Sequence, residues 1–278
     1  LYLNDGKGQY QPSTALFEKV NIVGSCVEVA DYDKDGDLDV FVGARAKPWA
    51  YGEIPTSLLL INNGSLKFEV AKRDLAAGLS NVGLVKDACW VDLDKDHDLD
   101  LVVATEWGPI YEFVNDKGIL HKRNLTDLKG WWNTVEATDY DGDGDMDLLA
   151  GNLGTNSKFQ VSALEPLRMY YYDFDHNGKK EQFITYCLNH QEVPFASFGE
   201  LKAQLPSIKK KYLFAKDFAA ASKNDIMGKE WKKATILSAN CFESGVFLND
   251  GKGIFKFQAF PANFQYSTIQ TFAFLNAT

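Results

Sequence analysis

Four short acidic loops recur along the chain and restrict its fold more than any other feature. They read DYDKDGDLD (Asp31 to Asp39), DLDKDHDLD (Asp92 to Asp100), DYDGDGDMD (Asp139 to Asp147) and a degenerate DFDHNGKKE (Asp173 to Glu181). Five carboxylates within nine residues repel one another by several kcal/mol in a compact state, so the pattern implies a cation among them. Calcium suits it, because Ca²⁺ takes roughly six to eight oxygen ligands at about 2.3–2.6 Å, and side chains at alternate loop positions converge on one point. In loop one the expected ligands are Asp31, Asp33, Asp35 and Asp39, with Asp37 offering its backbone carbonyl and Gly36 taking the left-handed conformation. Loop three repeats this with Asp139, Asp141, Asp143, Asp145, Asp147 and Gly144.

Loops two and four depart from the pattern. Loop two has Asp92, Asp94, Asp96, Asp98 and Asp100, but His97 stands where the others carry glycine, so its site is expected to be weaker. In loop four Asp173, Asp175, Asn177, Lys179 and Glu181 occupy the ligand positions, with fewer charges and a longer last arm. Up to four structural Ca²⁺ ions are therefore expected. An EF-hand needs a bidentate Glu at position 12, where this chain has Val42, Val103, Ala150 and Ile184. The flanks, such as Cys26 to Ala30 and Leu38 to Val42, alternate and are rich in β-branched and aromatic residues, which puts each loop in a hairpin between strands.

A second motif runs out of phase with the first. Leu3-Asn4-Asp5-Gly6-Lys7-Gly8 returns as Leu248-Asn249-Asp250-Gly251-Lys252-Gly253, with looser copies at Ile61-Asn62-Asn63-Gly64 and Val114-Asn115-Asp116-Lys117-Gly118. Asn-Asp-Gly between apolar runs marks a tight turn, so one unit reads as a four-stranded meander with an acidic turn in its first half and an Asn-Asp-Gly turn in its second. Repeated meanders that cannot bury their faces alone predict an all-β fold, a β-propeller of four-stranded blades. About four to five blades are expected in residues 1–278, read as a single partial propeller domain, against seven in a complete protein. The chain opens inside an expected strand (Leu1-Tyr2-Leu3-Asn4) and closes on another (Thr268 to Phe274), after which Leu275 to Thr278 stand where a further acidic loop is due. Both ends are accordingly expected to lie within a repeat. A stretch at about 199–230 carries helix formers with little alternation and predicts two short helices inserted between strands of the fourth unit, Lys209-Lys210-Lys211 lying on a solvated face.

The acidity belongs to the loops. They hold 18 of the 38 Asp and Glu residues, leaving 20 against the chain's 29 Lys and Arg, so a net charge of −9 does not point to a basic partner. No long apolar run suggests a membrane span, and three lysines make no nucleic-acid footprint. Cys26, Cys89, Cys187 and Cys241 have neither CxxC spacing nor the density of a disulfide framework, so buried free thiols are expected; Cys187 with Cys241 is the best candidate pair, as both fall on expected strands of one repeat.

The loops and their hairpin flanks resemble the FG-GAP or VCBS type of repeat, also found in the propeller of integrin α chains. A narrower resemblance is to large FG-GAP-like surface proteins of Bacteroidetes outer membranes. It is carried by Glu106-Trp107-Gly108-Pro109, Gly130-Trp131-Trp132-Asn133, Gly151-Asn152-Leu153-Gly154-Thr155-Asn156 and Leu205 to Lys211. It implies an extracellular or cell-surface setting and a protein partner such as a TonB-dependent transporter complex with its lipoproteins. His97, Lys179 and Glu181 depart from the family's loop.

Catalytic constellations are sparse. His97, His121, His176 and His190 show no HExxH or HxH spacing, and no GxSxG elbow or phosphate-binding glycine loop is present. Trp107, Trp131 and Trp132 with Asn133, Asn152 and Asn156 suit a glycan or peptide ligand, or else wedge between blades. The expectation is a non-enzymatic, calcium-stabilised binding or assembly module. The alternatives are a carbohydrate-active or other hydrolytic enzyme on a propeller, whose paired acids could hide among the aspartates, and a purely structural subunit.

Overall fold

Alternating apolar residues on both sides of each acidic loop do build antiparallel strands. The computed structural model describes residues 2–12, 21–64, 67–219 and 221–274. Strands β1 (Tyr2–Asn4) and β2 (Tyr10–Pro12) form a separate hairpin. Sheet one is a meander of β3 (Gly24–Ala30), β4 (Asp39–Ala44), β5 (Leu58–Asn62) and β6 (Phe68–Val70). Sheet two repeats it with β7 (Leu84–Val91), β8 (Asp100–Gly108), β9 (Ile110–Asp116) and β10 (Ile119–Asn124), and β11 (Gly130–Trp131) pairs with the end of β8. In both, the acidic loop joins the first two strands and the Asn-containing turn follows the third.

Sheet three begins in the same way, with β12 (Thr134–Thr138) and β13 (Asp147–Gly151), and is then interrupted. Residues 152–244 leave to build a fourth sheet from β14 (Leu167–Tyr172), β15 (Glu181–Leu188), β16 (Gln191–Pro194) and β17 (Thr235–Ala239), in the order β16-β15-β14-β17. The chain then returns for β18 (Gly245–Asn249) and β19 (Phe255–Ala259), which complete sheet three through the pairs Leu148–Phe247 and Leu149–Val246. This corrects the expected order of units. The Asn249-Asp250-Gly251 hairpin belongs to the third acidic loop, and the fourth loop lies between the two central strands of a nested sheet. The fold is mostly β, with a helical insertion.

That insertion contains four α-helices where two were expected: α1 (Phe198–Gln204), α2 (Pro206–Lys211), α3 (Ala215–Ala219) and α4 (Lys223–Met227), followed by a 3₁₀ turn at Glu230–Lys233. Reciprocal capping boxes start α1 (Ser197 with Glu200) and α4 (Ser222 with Asp225), and Pro206 opens α2, which divides the sequence into short pieces. One apolar stripe (Leu201, Leu205, Ile208, Phe218, Met227) packs on Tyr170 and Phe183 of sheet four, while Lys209, Lys210 and Lys211 stay exposed. The segment Thr268 to Phe274 is irregular rather than a strand, pinned by Ile269 N–H to Asn152 O (3.2 Å) and Thr268 Oγ1 to Leu153 O (3.2 Å). Leu275 to Thr278 lie outside the described residues.

Sheets one, two and three stack face to face. Phe41 and Leu59 of sheet one meet Val85, Leu101 and Phe113 of sheet two. On the other side of sheet two, Val102 and Ile110 meet Trp132, Val135, Leu148 and Phe247. Each fully buried aromatic or aliphatic side chain here contributes about 1.5–3 kcal/mol of transfer free energy. All four cysteines are free thiols; Cys89 and Cys241 are buried, whereas Cys26 and Cys187 are half-buried. Cys187 sits on β15 and Cys241 in the return segment before β18, so they do not belong to one repeat.

Candidate metal centres

Each acidic loop folds by the same local rule. The carboxylate at position three accepts the N–H at position five, that at five accepts the N–H at seven, and that at one reaches the N–H at six. In loop one these bonds are Asp35 N to Asp33 Oδ1 (3.3 Å), Asp37 N to Asp35 Oδ1 (2.9 Å) and Gly36 N to Asp31 Oδ2 (3.1 Å). Loops two, three and four repeat them through His97 N to Asp92, Gly144 N to Asp139 and Gly178 N to Asp173. The sixth residue has positive φ in every loop, and His97 does adopt it, at 74°. Position four is left-handed too, which sequence reading missed: Lys34, Lys95, Gly142 and His176 have φ of 61°, 63°, 80° and 59°.

This folding gathers oxygens. Asp31, Asp33 and Asp39; Asp92, Asp94 and Asp96; Asp139, Asp141 and Asp143; and Asp173, Asp175 and Glu181 each bring one oxygen per residue within 4.8 Å of one another. Oxygens gathered within that limit are close enough to share one ion after small side-chain adjustments, since Ca²⁺ takes its ligands at about 2.3–2.6 Å. Asp31 Oδ1 and Asp92 Oδ1 are buried without a hydrogen-bond partner, an orphaned negative charge that a cation would satisfy. Burial, and then neighbouring carboxylates, push the Asp33 and Asp94 carboxyls up. The donor set is all oxygen and hard, so it fits Ca²⁺.

The ninth residue does more than ligate. Asp39 is fully buried and accepts Tyr32 N–H (3.3 Å) on one oxygen and Asn62 N–H (2.8 Å) on the other. Asp100 does the same with Leu93 N–H (3.0 Å) and Asn115 N–H (2.8 Å), and Asp147 with Tyr140 N–H (2.9 Å) and Asn249 N–H (2.8 Å). These aspartates fasten the acidic turn to the third strand, which the sequence reading had assigned to ligation alone. Glu181, with its longer arm, takes Phe174 N–H (2.8 Å) in the nested sheet, where no asparagine N–H among the described residues bonds to it. Asp37, Asp98 and Asp145 at position seven, with Lys179 in their place in loop four, lie outside the gathered oxygens.

Neighbouring sheets are joined at the same loops. Asn115 Nδ2 donates to the carbonyl of Tyr32, the second residue of loop one (2.8 Å), and Asn249 Nδ2 donates to that of Leu93, the second residue of loop two (3.0 Å). Lys34 pairs with Asp98 at 2.5 Å and Lys95 with Asp145, so a lysine at position four holds the aspartate at position seven of the next loop. The recurring asparagine was visible in the sequence but was read only as a turn former.

On the first strands Glu28, Asp87 and Glu136 face one another across three sheets, and burial, then Asp87 and Glu136, raises the Glu28 carboxyl to about 7. Sequence reading did not single out this line, because its members come from different repeats.

The tryptophans pack inward. Trp132 is fully buried, edge-on to Phe247 and Phe257, and Trp107 is 4% exposed with its Nε1 donating to Tyr51 Oη (2.9 Å). Half-buried Trp131 lies edge-on to Trp107 (4.9 Å between centroids) and against Phe242. Asn133 Nδ2 turns to Trp131 O (2.9 Å) and Asn152 holds the return segment through Cys241 O and Glu243 O. Burial therefore favours the wedging role over an open aromatic platform. A cleft of about 180 Å³ beside Thr105, Glu106 and Lys129 opens next to Trp107.

The loops are expected to differ in affinity. Asp33→Ala or Asp141→Ala should each lower calcium affinity more than Asp175→Ala, measured by titration calorimetry; the reverse order would contradict the charge argument.

Residues 92–150 match the FG-GAP-like repeat. The match opens on the first aspartate of loop two and ends in β13, so it spans two complete acidic loops and the junction between sheets two and three. No curated protein matches the chain.

Proposed function

We propose that the chain is a calcium-stabilised extracellular binding or assembly module whose stacked sheets are blades of a β-propeller. The carrying observation is the pair of buried, unpartnered oxygens of Asp31 and Asp92 inside loops already folded to surround an ion. Asp31, Asp33, Asp39, Asp139, Asp141 and Asp143 would hold calcium most strongly, Asp92, Asp94 and Asp96 more weakly beside His97, and Asp173, Asp175, Asn177 and Glu181 most weakly. Bound calcium supplies neutralising charge and cross-linking; the chain's own residues position the turns and join the sheets. Sites of this sort need only bind at about 10⁻⁴–10⁻³ M outside a cell.

The FG-GAP-like match supports a protein-binding role, and no helix among the described residues is long and apolar enough to cross a membrane. The setting we propose is the bacterial outer membrane, with a TonB-dependent transporter and its lipoproteins as partners and a glycan or peptide as a further ligand. Affinity purification from native membranes in calcium and in chelator, beside a glycan array and a hydrolysis screen, tests this. Calcium-dependent co-purification of a transporter, or glycan retention without product, supports the module. Turnover of a glycan would make it an enzyme instead.

A further inference from the structure

The junctions between sheets one, two and three share a set of bonds, and sheet one carries the facing half of that set with no described residue bonded to it. At both junctions an asparagine of the later sheet donates to the second-position carbonyl of the earlier loop, and a lysine at position four of the earlier loop pairs with the aspartate at position seven of the later one. In sheet one the corresponding asparagine is Asn62 and the corresponding aspartate is Asp37. Asn62 is 4% exposed, its Oδ1 is buried without a partner, and no side-chain bond joins it to any described residue. Asp37 has no cation beside it among the described residues, whereas Asp98 and Asp145 do. The same face carries an aliphatic row across all four strands, Val29–Val40–Leu60–Val70; its centre is covered, with Leu60 2% exposed, but its edges are open, with Val27, Val29 and Val70 59%, 51% and 55% exposed.

The β1–β2 hairpin says what kind of element belongs there. Its turn repeats that of β18–β19 bond for bond: Gly6 N to Asn4 Oδ1 as Gly251 N to Asn249 Oδ1, Lys7 N to Asp5 Oδ1 as Lys252 N to Asp250 Oδ1, and Asp5 N to Gln9 O as Asp250 N to Ile254 O. In sheet three that hairpin is the outer half of a sheet whose inner half is strand, acidic loop, strand. Here the outer half pairs with no other strand among the described residues, and every described residue of both strands is exposed.

We infer that the open face of sheet one is a docking surface for a strand–acidic loop–strand hairpin that completes the sheet begun by β1 and β2. Its loop carries Lys or Arg at the fourth position for Asp37 and offers its second-position carbonyl to Asn62. A second copy of this chain does not meet these requirements. Its free loop is loop three, which has Gly142 at position four, and residues 260–274 already lie over that side of sheet three, with Phe260, Phe264, Phe272 and Leu149 lining an apolar cleft of about 590 Å³. This inference rests on the stacked-blade reading and gives that reading a specific ligand: a further sheet of the same repeat, recognised by one cation, one carbonyl and an aliphatic face.

The test joins a copy of Leu84–Gly108, which brings Lys95 and the Leu93 carbonyl, ahead of Tyr2 by a flexible linker. Val27 and Val29 methyl groups should then lose solvent contact by NMR, and the Asn62 side-chain amide should shift. Replacing the added copy's lysine by glycine, or Asp37 by Asn, should each shift the docked-to-open ratio about 5-fold, the two together no further, as for one partly buried ion pair. Solvent-exposed valines in the fused chain, or insensitivity to Asp37, would overturn the inference, as would unfused chains forming calcium-stable dimers through this face. Calcium titration calorimetry on the same fused chain separates the two readings: docking in a chain that takes up no calcium would sink the metal assignment alone, and calcium uptake without docking would sink this inference alone.

Discussion

Chelating calcium at neutral pH should lower the melting temperature by roughly 10 °C. At a free concentration ten times the dissociation constant, one site contributes about 1.4 kcal/mol through RT ln(1 + [L]/Kd), and the three loops with full aspartate sets together about 4 kcal/mol. For a chain of this size 1 kcal/mol corresponds to about 2–4 °C. Scanning calorimetry in calcium and in EDTA measures the difference. The direction is fixed by charge: without the ion, the buried Asp31 and Asp92 oxygens keep their desolvation cost and lose their only available partner. A melt indifferent to chelator would mean that the loops are ordinary solvated turns.

The second large effect separates the two jobs that aspartates perform here. Asp100→Ala should cost about 3–5 kcal/mol in calcium and nearly as much in chelator, because it strands the buried N–H groups of Leu93 and Asn115 whether or not an ion is present. Asp96→Ala, at an exposed position whose carboxylate only turns the loop and ligates, should cost little in chelator. Denaturant titrations of both variants in both conditions read this out. Equal behaviour of the two would refute the cross-linking role of the ninth residue.

Much of the local structure was legible because it is set within a few residues. Carboxylates at alternate positions, a glycine at position six and alternating flanks are short-range signals, and the loops and hairpins appear where they predict. Positive φ at Lys34 and Lys95 was not legible, since lysine carries no preference for that region and the turn imposes it. The nesting of sheet four was also hidden. Nothing between Gly151 and Ser244 announces that the hairpin at Asn249 pairs back to β13, because the pairing is decided by tertiary packing of Phe247 against Trp132. Likewise Trp107 and Trp131 read in one dimension equally as a binding platform or as wedges between sheets, and only the packing of Met169, Ala239 and Phe242 around them favours the wedge. Loop four reads as the degenerate member of the series from its charges, but nothing in its sequence shows that its ninth residue lacks the tie to a third-strand asparagine that loops one to three have.

The interruption of sheet three also dictates an order of assembly. As the polypeptide emerges, β13 must wait for residues 152–244 before β18 can reach it, so its edge stays open to wrong neighbours in the meantime. Drawing together the ends of a floppy segment of roughly 90 residues, rather than about ten, costs about 2 kcal/mol more. If sheet four and its helices fold first, their packed body delivers both ends to one place, where Asn152 N–H meets Ser244 Oγ at 2.9 Å. The excursion thereby becomes a clasp, and the third sheet closes late, after the guest it hosts.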